Sequence, residues 1–127
     1  MKKAIPFRLT ILVLFAVLSF TNPPHKLVGR WKPNMGPDVS AVAAYRTDGT
    51  FDIFLNGKTF VSGKYRVSQD TLSISDPICG TGYYGTYQLT YITEDSIRQT
   101  LIQDTCRVRR NSVAYSPTMG RIKATKP

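Results

Sequence analysis

From Leu27 onward apolar and polar residues alternate, and no window sustains an apolar stripe at i, i+3, i+4 and i+7 for long. Turn-forming residues break the alternation at Asp48-Gly49, Asn56-Gly57, Gln69-Asp70, Gly80 to Gly85 and Glu94-Asp95. The segments between them predict strands over 27–33, 41–47, 50–55, 59–67, 71–76, 85–93, 96–104 and 107–115. Short strands joined by tight turns pair with their neighbours as antiparallel hairpins. With eight such strands and too little chain left for helices, the expected fold class is all-β, an antiparallel up-and-down meander closed into a barrel. Closure removes the unpaired edges that an open sheet would expose.

Directly opposed residues of an antiparallel pair point to one face, so each turn decides which side chains meet. A two-residue turn at Gln69-Asp70 pairs Val67 with Leu72 and Tyr65 with Ile74, leaving Lys64 and Arg66 opposite serines on the other face. A two-residue turn at Asp48-Gly49 pairs Ala44 with Ile53 and Val42 with Leu55. At Asn56-Gly57 a two-residue turn would set Val61 against Asp52; an odd loop or a bulge instead pairs Ile53 with Val61 and Phe51 with Gly63. The Glu94-Asp95 hairpin allows two registers, in which either Arg98 and Thr100 or Gln99 and Leu101 share the face of Tyr87, Leu89 and Tyr91.

If the strands run alternately up and down, Asp48-Gly49, Gln69-Asp70 and Glu94-Asp95 lie at the end occupied by Gly29 and Trp31. Cys79 and Cys106 both reach the opposite rim. Strands two apart are separated by ~9.6 Å, while a disulfide wants Cα atoms near ~5.5 Å; the loop at Cys79 can close that gap. The pair therefore reads as a structural disulfide, and the lack of C-x-x-C spacing argues against a redox couple. Cys79-Gly80-Thr81-Gly82-Tyr83-Tyr84-Gly85 puts Tyr83 and Tyr84 on a glycine-rich loop at this rim, as a lip over a cavity or as a cover for the barrel end.

The first residues change the compartment. Met1-Lys2-Lys3 and Arg8 precede an apolar run from Ile11 to Leu18, too short for the ~20 residues of a spanning helix and suited to a secretory signal cleaved after Ser19. Residues 1–19 are thus read as a signal peptide, 20–26 as a disordered linker, 27–115 as the barrel and 116–127 as a tail. An exported chain, periplasmic or secreted, also fits a disulfide. Loss of Lys2, Lys3 and Arg8 takes the formal charge from +9 to +6. A basic exported domain can be drawn to an anionic envelope or polysaccharide surface. Nucleic acid is not an expected partner, because the cluster Arg107, Arg109 and Arg110 lacks interleaved aromatics. The single histidine, His25, lies in the Pro-rich start, and most acids fall at turns, so neither a catalytic base, a metal site nor a cofactor is expected. The chain reads as a monomeric non-enzyme.

Gly29-Arg30-Trp31 resembles the G-x-W opening of lipocalins and the wider calycin superfamily. Tyr45-Arg46-Thr47-Asp48-Gly49-Thr50-Phe51, Gly63-Lys64-Tyr65-Arg66-Val67 and Asp70-Thr71-Leu72-Ser73-Ile74 resemble small exported bacterial lipocalin-like domains. The resemblance covers roughly 27–110. It implies that Trp31 plugs the closed end against a late arginine, for which Arg109, Arg110 and Arg121 are candidates, and that 33–38 forms an entrance loop. It also implies a small apolar or amphipathic ligand inside a barrel lined by Phe51, Ile53, Tyr65, Val67, Leu72, Ile74, Tyr87, Leu89 and Tyr91, with an inward Arg98 as counter-ion to a carboxylate. A barrel this small can instead be filled by its own side chains, in which case the domain would work as a secreted or envelope-associated interaction module.

Overall fold

The computed structural model describes residues 25–123; the signal-peptide reading and residues 20–24 of the linker lie outside them. Eight strands run β1 (Gly29–Pro33), β2 (Ala41–Tyr45), β3 (Thr50–Leu55), β4 (Lys58–Ser68), β5 (Thr71–Ser75), β6 (Gly85–Thr93), β7 (Ser96–Gln103) and β8 (Thr118–Arg121). Each pairs antiparallel with the next, and β8 returns to β1 to close the barrel. The one helix among the described residues, α1 (Arg107–Tyr115), precedes β8.

The segment expected to be the eighth strand is therefore helical, and the closing strand falls within the expected tail. The composition of α1 does not decide for a helix: three arginines and an alanine favour one, two β-branched valines and an asparagine do not, and no residue is fully buried. Its ends are set from outside, by a disulfide at its N-cap, Cys106, and by Pro117, beyond which the chain can pair again. Strand β8 is short, but it pairs on both sides, Ile97 with Met119 and Trp31 with Arg121.

Three hairpin registers decide what points inward. Around Gln69-Asp70, Val67 faces Leu72 and Tyr65 faces Ile74, as expected. Ile53 faces Val61 and Phe51 faces Gly63, with the irregularity a bulge between Ile53 and Phe54. The β2–β3 pair differs by one residue from the expected register: Ala43 faces Ile53, Ala41 faces Leu55 and Tyr45 faces Phe51. The cause is a three-residue turn in place of a two-residue one. Asp48 Oδ1 accepts hydrogen bonds from the Thr50 amide (3.0 Å) and hydroxyl (2.6 Å), and the Gly49 amide donates to the Arg46 carbonyl (3.2 Å). A one-residue shift exchanges the two faces of a strand. Here it buries Ala41, Ala43 and Tyr45 in place of Val42 and Ala44.

The end bearing the turns of residues 46–50, 69–70 and 94–95 is sealed. Trp31 is fully buried and its indole Nε1 donates to the Leu27 carbonyl at 2.8 Å. Of the three candidate arginines, Arg121 is the partner: its guanidinium lies 4.3 Å from the indole ring centre and donates to the carbonyls of Val28 (3.1 Å) and Lys26 (2.8 Å). Gly29 makes room for it. Its φ is 135°, and a Cβ there would sit 2.8 Å from Arg121 Nη1. His25 and Lys26, assigned to the linker, form a turn on this end, with the Leu27 amide donating to His25 Nδ1 at 3.0 Å.

Replacing Trp31 with Ala should lower stability by about 3–5 kcal/mol, since the cavity left cannot collapse inside a closed ring of strands. Arg121→Ala should cost about 1–3 kcal/mol through the lost ring contact and two charge-assisted hydrogen bonds. Urea unfolding measures both; an Arg121→Ala midpoint equal to that of the wild type would show that closure does not depend on this contact.

Candidate functional site

The interior divides into two halves. Towards the sealed end, Leu27, Trp31, Tyr65, Leu72, Leu89 and Ile97 pack into one buried cluster, with Val67 and Tyr91 partly buried against it. Towards the mouth lies a cavity of about 240 Å³. Its wall is apolar for the most part: Ala41 and Ala43 from β2, Phe51 and Ile53 from β3, Val61 from β4, Ile74 from β5, Tyr87 from β6 and Met119 from β8, with Val108 and Val113 of α1 across the mouth. Small side chains on β2 create this space. Alanine at 41 and 43 faces Leu55 and Ile53, so neither layer fills the barrel.

Of the residues expected to line a ligand site, Phe51, Ile53, Ile74 and Tyr87 do line the cavity; Tyr65, Val67, Leu72, Leu89 and Tyr91 belong to the packed half. Arg98 is corrected outright. In the β6–β7 register Tyr91 faces Ile97, Leu89 faces Gln99 and Tyr87 faces Leu101, which places Arg98 opposite Thr90 on the exposed outer face. A bulge between Tyr91 and Thr93 sets this register, and it selects the second of the two alignments that the sequence allows. Tyr83 and Tyr84 sit at the rim without lining the cavity. Tyr83 OH accepts the Thr105 amide at 2.7 Å, and the Tyr84 ring lies under Arg66 at 4.1 Å. The lining contributions of Tyr45, Gln99, Met119 and α1 are new; alternation from the correct β2 register would have found Tyr45, whereas no sequence signal marks the helix.

The polar part of the cavity wall is a buried ionic cluster at the mouth. Arg109 of α1 spans two carboxylates, donating from Nη1 to Asp76 Oδ2 (2.7 Å), from Nε to Asp104 Oδ2 (2.7 Å) and from Nη2 to Asp104 Oδ1 (3.0 Å). Asp104 also accepts the Tyr87 hydroxyl (2.5 Å) and the Cys106 amide (2.9 Å), and Asp76 accepts the Ile78 amide (2.9 Å). Both acids are almost fully buried. Burial alone would push the Asp104 carboxyl up, but hydrogen bonds from Arg109, Tyr87 and the Cys106 amide outweigh it and hold the group below the usual carboxylate range. Burial and the adjacent Asp104 raise the Tyr87 phenol, which stays a proton donor. Gly85 permits this packing, since a Cβ there would lie 2.3 Å from Asp104 Cγ.

The Cys79–Cys106 disulfide, with Cα atoms 5.5 Å apart, ties the same helix end to the β5–β6 connection. In the chain-entropy picture, a loop of 27 residues corresponds to about 3.5 kcal/mol. With Arg109 it pins α1 across the mouth. The disulfide, and the absence among the described residues of any helix long and apolar enough to cross a membrane, are compatible with an exported protein.

Arg109→Met should destabilise the protein by about 3–5 kcal/mol, because it leaves two buried carboxylates without a cation. The lowered Asp104 titration adds stability that is complete above the ordinary carboxylate range and lost as pH falls below about 4. Urea midpoints compared between pH 6 and pH 3 should therefore fall for the wild type and fall less for Asp104→Asn; equal slopes would assign the acid sensitivity elsewhere.

No family model matches the chain, and no curated protein matches it in sequence. Solved structures do match in shape. The crystal structure of Treponema pallidum Tp0751 (pallilysin) superposes with a TM-score of 0.51 at 11% identity, covering 95% of this chain and all of that one. The NMR structure of a protein from Bacteroides uniformis superposes with a TM-score of 0.54 at 15% identity, covering 78% of this chain and 91% of that one. At these identities the likeness concerns the small barrel fold alone.

Proposed function

We propose that this protein is an exported, lipocalin-like carrier that holds a small apolar molecule, or the apolar end of an amphipathic one, in the mouth half of its barrel. The observation that carries the reading is the cavity of about 240 Å³ with an apolar wall, in a domain whose other half is fully packed. An engineered apolar cavity of ~150 Å³ takes up benzene, and drug-sized sites begin near ~300 Å³; a compact ring system or a short alkyl chain suits the space between. The lipocalin-like sequence features and the Trp31–Arg121 seal support the same reading.

The ligand needs no carboxylate. Arg98 points away from the cavity, and the arginine that does line it, Arg109, is already bound by two acids. Ser116, whose buried Oγ has no hydrogen-bond partner among the described residues, and Gln99, whose Nε2 lies 3.6 Å from Met119 Sδ, are polar groups able to orient a bound molecule. Binding rather than catalysis is the role we assign, because the buried ionic groups of this site are engaged with one another.

Native mass spectrometry of protein purified from its own host should show a co-purifying small molecule. Saturable one-to-one binding of a naphthalene-based fluorophore should weaken about tenfold or more in Ala43→Phe, since a ring placed in the cavity forces a bound ligand to be overpacked. Ala41→Leu serves as a second, milder filling variant. A bare mass together with no saturable fluorophore binding would overturn the carrier reading in favour of an interaction module.

A further inference from the structure

We propose that the mouth of the barrel docks on the surface of an anionic phospholipid bilayer. Three side chains from three separate elements line the cavity and yet remain exposed: Phe60 of β4 (53%), Ile78 of the β5–β6 connection (43%) and Val108 of α1 (49%). Exposed apolar groups scattered singly carry no message, but these three surround one opening. Each cation nearest to them is also exposed. Lys58 lies two residues from Phe60, and Arg107 adjoins Val108; neither enters an ion pair among the described residues.

The exposed charge at the rim is basic. Asp48, Asp70, Glu94 and Asp95 sit on the turns of the sealed end, where Asp95 is paired with Arg121 and Lys123 and Asp52 with Arg46. The two acids near the mouth, Asp76 and Asp104, are buried against Arg109, which among the described residues leaves Asp38 as the mouth's one exposed carboxylate. The exposed rim thus joins an apolar ring to the cations Lys58 and Arg107, unpaired among the described residues. Its positive charge draws this basic domain to an anionic surface, and the apolar ring selects the mouth as the face that meets it. The apolar ring can then enter the headgroup boundary, which a soluble polyanion does not offer. This surface does not depend on the cavity's being a ligand site.

Co-sedimentation with vesicles tests the proposal. The full-length mature protein should bind vesicles containing phosphatidylglycerol and phosphatidylcholine, bind far less to phosphatidylcholine alone, and lose binding as salt is raised. A basic residue near an anionic membrane is worth about fivefold in affinity, so the double substitution Lys58→Gln, Arg107→Gln should weaken binding roughly 25-fold. Phe60→Ser, Ile78→Ser and Val108→Ser together should also release the protein, while Ala43→Phe, which fills the cavity, should bind as the wild type does. All these side chains except Ala43 are exposed, and thermal melts establish that the variants fold. Absence of vesicle binding by the wild type would overturn the proposal. So would binding that neither set of rim variants reduces, or sedimentation velocity showing that the rim instead joins two copies of the chain.

Discussion

The arrangement of the mouth depends on one constraint: Asp76 and Asp104 are buried carboxylates, and a single guanidinium answers both. Removing a carboxylate from water costs several kcal/mol unless cations and donors replace the lost hydration. Arg109 supplies the charge, while Tyr87 and two backbone amides supply the remaining donors. Arg109 can reach both acids only if α1 lies across the barrel mouth, so the electrostatic requirement fixes the helix. The helix position in turn delivers Thr118 to the gap between β1 and β7, where β8 closes the ring. Fold closure and lid placement are consequences of the same contact.

The division of the interior into a packed half and a hollow half follows from side-chain volume layer by layer. At the sealed end, strands approach over large residues, among them Trp31, Tyr65 and Leu89, and leave no room. Nearer the mouth, β2 contributes alanines where its neighbour contributes Ile53 and Leu55. The Tyr45 ring, which stacks on Phe51 (5.8 Å) and meets Tyr65 edge-on (5.1 Å), forms the floor between the halves. The question of whether so small a barrel is empty or filled thus has a mixed answer, and the register of one hairpin decides it. Had Val42 and Ala44 faced inward, a larger side chain would have entered the cavity.

Much of this was legible in the residues. Period-two alternation and turn spacing identified seven of the strands, because those strands are long enough for the pattern to repeat. The seal was legible as far as Trp31, but the choice of Arg121 over Arg109 and Arg110 needed the position of β8. Asp48-Gly49 misled because Asp-Gly marks a tight turn without stating its length; the bonds from Thr50 to Asp48 lengthened it by one residue. Helix α1 was illegible for a different reason. Its Arg-Val-Arg start fits a strand, and what holds it as a helix is tertiary: the disulfide at Cys106 and the pull of Asp76, distant in the chain, together with Asp104. Arg98 fell on the wrong face because a bulge, which has no sequence mark here, separates the two registers.

The seam between β7 and β8 links these features. Paired residues extend only from Ser96 to Arg98, after which the Gln99 amide takes the Pro117 carbonyl at 2.8 Å and the ladder stops. Above that point the wall of the barrel is α1, held by side chains and a disulfide instead of by strand hydrogen bonds. The C-terminal end of α1 is anchored only where the chain passes into β8, through the Gln99–Pro117 bond and the pairing of Thr118 with Arg98. Its N-terminal turn is fixed by Cys106 and Arg109, and Val113 further along lines the cavity with only partial burial. Because the end of α1 runs through Pro117 straight into β8, the helix that roofs the cavity and the strand that closes the ring are mechanically one piece.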